Sequence, residues 1–69
     1  MPEIRKITNS EATNIIETRQ PLGLFYIAEE DINSEITYVG IDNRTGDAWT
    51  EEFELLSECK EWLKGNIEL

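Results

Sequence analysis

Histidine is missing from this chain of 69 residues, and cysteine occurs once. A serine or cysteine nucleophile is ordinarily activated by an adjacent base, histidine above all, so the common hydrolase arrangements are excluded. Zinc, iron and copper centres draw on the same two residue types, and one cysteine without histidine cannot close such a site. The lone Cys59 leaves no intramolecular disulfide to form, which fits a reducing compartment and makes the cytoplasm the expected location.

Long apolar runs are absent as well. Charge at Glu3, Arg5 and Lys6 interrupts the apolar residues near the N-terminus, so no secretion-signal core is read there. Nowhere do the roughly 18 consecutive apolar residues of a membrane span occur. The glycines, Gly23, Gly40, Gly46 and Gly65, are scattered instead of gathered into a phosphate-binding loop. Bases are scarce too: 6 Lys and Arg face 15 Asp and Glu, for a net charge of −9. Up to Ala28 the acids Glu3, Glu11 and Glu17 balance Arg5, Lys6 and Arg19, so the whole excess lies between Glu29 and the C-terminus. Such a field repels nucleic acid and anionic lipid, and makes a basic protein the favoured partner.

What is present suffices for one domain spanning residues 1–69. The chain is 39% hydrophobic with two each of Trp, Tyr and Phe, enough for a single core. At this length folding buries only about 60% of the surface of the unfolded chain, so stability is expected to be marginal.

The pattern of residues predicts an α+β fold: a small antiparallel sheet with two helices, in the order β-α-β-β-β-α. Glu3 to Ile7 is weakly strand-like. Thr8 and Glu11 have capping-box spacing, and Ala12, Ile15 and Ile16 share one helical face, giving a helix from about Ser10 to Arg19 that Pro21 cannot continue. Leu24 to Ala28 and Ile36 to Ile41 read as strands joined by an acidic loop, Glu29 to Glu35. Turn formers from Asp42 to Asp47 lead into a third extended run, Ala48 to Phe53. Strict alternation there places Glu51 beside Trp49 and Phe53, a conflict that a bulge or a fraying strand end would relieve. Leu55, Leu56, Cys59, Trp62 and Leu63 form the apolar stripe of a last helix capped by Gly65. Both helices are expected on one sheet face.

Few residues are placed for chemistry. Asp42, Asn43, Thr45 and Asp47 could offer oxygen ligands, but Arg44 breaks the EF-hand spacing and a hairpin turn explains the same residues. Asn43-Arg44-Thr45 matches the glycosylation pattern. Cys59 and Trp62 fall on the core stripe, whereas Trp49 follows the turn and is a candidate contact residue. The carboxylates of Glu29, Glu30 and Asp31, or of Glu51, Glu52 and Glu54, could pair for acid/base work, although acidic runs are more often solvated surface. No catalytic residue, cofactor or metal is expected.

The run YVGIDNRTGDAWTEEF, Tyr38 to Phe53, followed by ECKEWL, Glu58 to Leu63, resembles small acidic uncharacterised proteins encoded in phages and prophages of Gram-positive bacteria. The likeness covers roughly the last half of the chain and contains no catalytic signature. It implies an origin among genes that often encode inhibitors or adaptors of host proteins, including acidic nucleic-acid mimics that occupy basic channels.

The functional expectation is a small acidic protein-binding module, an inhibitor or nucleic-acid mimic acting on a basic host protein. Its contact residues would be Glu29, Glu30, Asp31, Trp49, Glu51, Glu52 and Glu54. The alternative is a structural or regulatory subunit working as a homodimer or larger homo-oligomer through paired edge strands. Direct binding of nucleic acid or membrane is not expected.

Overall fold

A computed structural model describes residues 3–66. The elements follow the expected order: β1 (Ile4–Lys6), α1 (Asn9–Thr18), β2 (Leu24–Glu30), β3 (Ile36–Asp42), β4 (Trp49–Phe53) and α2 (Leu56–Leu63). The helix start foreseen at Thr8 is built as a capping box. The Thr8 hydroxyl accepts the Glu11 N–H, and the Glu11 carboxylate accepts the Thr8 N–H, each at 3.2 Å. Arg19, left-handed at φ 62°, ends the helix by donating its N–H to the Ile15 carbonyl.

The strands form one four-stranded sheet in the order β1-β2-β3-β4. β2, β3 and β4 make the foreseen antiparallel meander, but β1 runs parallel to β2, so the sheet is mixed. The cause is α1, which carries the chain back along the sheet between β1 and β2 as a crossover. No helix among the described residues is long and apolar enough to cross a membrane.

The two helices lie on opposite faces, which corrects the expectation of a shared face. Against α1 pack Phe25, Ile27 and Ile41, with Ala12 and Ile15 from the helix. Against the other face α2 brings Cys59 and Leu63 onto Leu24 and Phe53, with Tyr26, Tyr38 and Trp62 at the margin. β2 is therefore covered on both sides, and its unbroken apolar run, Leu24-Phe25-Tyr26-Ile27, is the sequence trace of that position. The foreseen stripe of α2 also shifts. Leu55 is the extended residue before the helix and is 56% exposed, while Trp62 lies half-buried across Gly40. Gly65 adopts φ 82° and donates its N–H to the Trp62 carbonyl, as a C-terminal cap should.

Candidate protein interface

The turn between β3 and β4 sets where β4 begins, and Asn43 holds it. Its side chain is fully buried; Nδ2 donates to the Pro21 carbonyl at 2.9 Å and Oδ1 accepts the Ala48 N–H at 3.1 Å. Both ends of the amide are thus committed to the fold, and the glycosylation pattern around Asn43 is structural. Arg19 adds a tie from α1, its guanidinium donating to the Asp47 carbonyl at 2.6 Å.

The oxygen atoms weighed as calcium ligands are occupied in the same way. Asp42 forms a 2.8 Å ion pair with Arg44 and also accepts the Arg44 N–H, while the Asp47 carboxylate accepts from the Thr45 hydroxyl. Partial burial pushes the Asp42 carboxyl up, but the hydrogen bonds and charge of Arg44 outweigh it and hold the group below its ordinary range. Among the described residues no three acidic, Cys or His side chains are grouped to hold a metal ion.

β4 leaves this turn as an edge strand, paired among the described residues only with β3. Trp49, its first residue, stands opposite Asp42 and is 64% exposed. Glu51 lies opposite Gly40, on the side of α2 together with Trp49 and Phe53; Glu52 lies opposite Val39, on the side of α1. The register runs unbroken from Trp49 to Phe53, so neither a bulge nor a frayed end resolves the conflict foreseen at Glu51. It is resolved by position, because β4 is an edge strand and Glu51 stays exposed on it.

Glu51, Glu52 and Glu54 come together with Leu55 and Glu58 around one shallow hollow beside β4. Glu54 also borders a second hollow with Glu35, Ile36 and Thr37. Among the described residues the ion pairs are Asp42–Arg44 and Glu61–Lys64, so this acidic group carries no paired cation. At the opposite edge of the sheet β1 presents Arg5, 5.2 Å over the Phe25 ring, and Lys6. Charge is therefore polarised across the sheet, with bases on β1 and acids on β4.

The remaining candidates lie elsewhere. Glu29 and Glu30 are the last residues of β2, opposite Thr37 and Ile36, so two strand spacings, about 10 Å, separate their backbone from that of β4. Asp31 is a turn residue whose carboxylate accepts the N–H groups of Asn33 and Glu35 at 2.8 and 3.0 Å. Sequence reasoning missed Leu55, Ile36 and Glu58. Leu55 looked like the start of a buried stripe, and Ile36 shares the alternation of Tyr38; only the ends of β4 and α2 show that both stand outside the core.

Chemically the surface presents an exposed indole and exposed carboxylates. Glu51 and Glu52 leave the strand on opposite sides and border the same hollow at its rim. Cys59 is fully buried, and burial pushes its thiol above the ordinary range although Lys60 pulls it down. Comparison with protein-family models, with curated proteins and with solved structures finds no match to this chain.

Proposed function

We propose that the chain is an acidic protein-binding module without chemistry of its own, whose β4 edge docks on a basic surface of a partner protein. Exposed Trp49 beside the unpaired carboxylates of an open edge strand is the observation that carries this reading. Covering the open part of an indole is worth roughly 2–4 kcal/mol of transfer free energy, which is hot-spot magnitude. The surrounding field steers a basic partner into that contact and discourages an acidic one. In the finer form of the proposal the module is a phage-encoded inhibitor or nucleic-acid mimic acting on a cytoplasmic host protein.

The homo-oligomer reading is weaker. Antiparallel pairing of β4 with a second β4 crowds the Glu51 and Glu52 carboxylates of one copy against those of the other, between molecules that each carry −9. The test is affinity capture with the wild-type chain and with Trp49→Ala, at low and high salt. The expected result is a basic protein whose capture weakens as salt rises and falls about tenfold or more on loss of the indole. Capture indifferent to both changes refutes the proposal.

A further inference from the structure

We infer that β4 takes its partner by strand addition: an extended segment carrying two consecutive basic residues pairs its backbone with the free edge of β4. The inference rests on the acidic-interface reading above and specifies the form of the partner. Edge strands are usually blunted by a bulge, a proline, a lysine or a covering element. Residues Trp49–Phe53 contain no proline or lysine, their pairing with β3 is unbulged, α2 packs on a face of the sheet, and among the described residues no strand pairs with the outer edge. Alternate N–H and C=O groups of β4 therefore point away from β3 in an uninterrupted row.

What guards this row is charge of a single sign. Glu51 lies on the α2 side of the strand and Glu52 on the α1 side, so the guard covers both faces. An incoming strand alternates in the same way, and two adjacent basic residues would meet one carboxylate each. On the α2 side, the position two residues along from the Glu51 contact meets the exposed indole of Trp49, which suits an apolar or aromatic side chain. A strand with acidic residues is turned away, and so is the β4 of a second copy. The other edge discriminates in the reverse sense: β1 has three residues and presents Arg5 and Lys6. The sheet thus offers a basic segment one edge only, and main-chain pairing supplies affinity while the alternating side chains supply selection.

The probe is a short synthetic peptide of alternating valine and threonine with two adjacent central lysines, titrated into the isotope-labelled chain to millimolar concentration. Two companions are a glutamate-for-lysine version and a lysine version methylated on the backbone nitrogens that would face β4. Expected are amide shifts centred on Trp49–Phe53, slowed hydrogen exchange at the outward β4 amides, about tenfold weaker binding of the methylated peptide, and no binding of the glutamate peptide. Equal binding of the methylated and unmethylated lysine peptides overturns strand addition but leaves the acidic interface in place. Shifts at β1 instead of β4, or no binding of the lysine peptide, also overturn it. The acidic interface is judged separately, by whether capture depends on salt and on Trp49.

Discussion

Alanine at Gly40 is the sharpest probe of how α2 is seated on the sheet. Gly40 pairs with Tyr26 and Glu51 in regular strand register, so its backbone makes no demand for glycine. The demand comes from contact: a Cβ would lie 3.0 Å from Cε3 and Cζ3 of Trp62 and 3.2 Å from the Cys59 sulfur. Ordinary carbon–carbon separations are about 3.5–4.0 Å, so the ring has to give by a few tenths of an ångström. Trp62 is half-buried and can tilt, but Cys59 is fully buried, and the Phe53 ring stands 5.8 Å from that of Trp62. Overpacking of this kind costs about 1–3 kcal/mol, against roughly 0.5–1 kcal/mol that alanine gains over glycine in a strand. The net expectation is destabilisation centred on about 1 kcal/mol, a fall in Tm of roughly 4–8 °C for a domain this small. Urea unfolding followed by tryptophan fluorescence measures it. In a Trp62→Leu background, where the ring is gone, the cost should fall by the indole's share and keep the share owed to the Cys59 sulfur, because contacting residues couple. Gly40→Ala as stable as wild type, or an undiminished cost without the indole, refutes the packing argument.

Other expectations follow from single groups. Asn43→Ala removes both hydrogen bonds of a fully buried side chain and strands the Ala48 N–H, so chemical denaturation should show a loss of about 2–4 kcal/mol. Cys59 should be inert to a thiol reagent in the native protein and react at the rate of unfolding, since its thiol is both inaccessible and raised in pKa; rapid native labelling contradicts this. The Asp42 carboxyl is held below its unfolded value of about 3.9, so its stabilisation is complete above that pH and lost as pH falls through the folded value. Thermal melts in acid should therefore decline more steeply for wild type than for Asp42→Asn below about pH 4, and parallel curves would show that the Arg44 pair contributes nothing.

The element order was legible because each element carries its own local signal: the Thr8–Glu11 box, the turn residues between Asp42 and Asp47, the helical spacing of Cys59 and Leu63. What was not legible depends on sheet order, which is non-local. Burial of β2 on both faces places the helices on opposite sides, and it could have been argued from Leu24-Phe25-Tyr26-Ile27, where alternation is missing. The direction of β1 follows from the crossover through α1, and three residues carry too little pattern to declare it. At the candidate interface, the grouping of Glu51, Glu52 and Glu54 was readable from their spacing. That Asp31 is bound into its own turn, and that Leu55 and Ile36 join the acidic end, required the ends of the strands. Glu51 shows the limit of alternation, because its side of the strand was given correctly but its exposure goes with β4 being an edge strand.

The proposal that the carboxylates in and just after β4 form the recognition surface is tested most directly by the association rate of the variant with Glu51, Glu52 and Glu54 all changed to Gln. Those side chains make no ion pair among the described residues, so the variant should fold with stability unchanged or slightly raised by relief of like-charge repulsion. Stopped-flow mixing with the captured basic partner, across a range of salt, separates recognition from mere solubility, since interface charge acts mainly on encounter. The account predicts slower association at low salt and a flatter salt dependence than wild type; a stably folded variant that associates at the wild-type rate at low salt contradicts it.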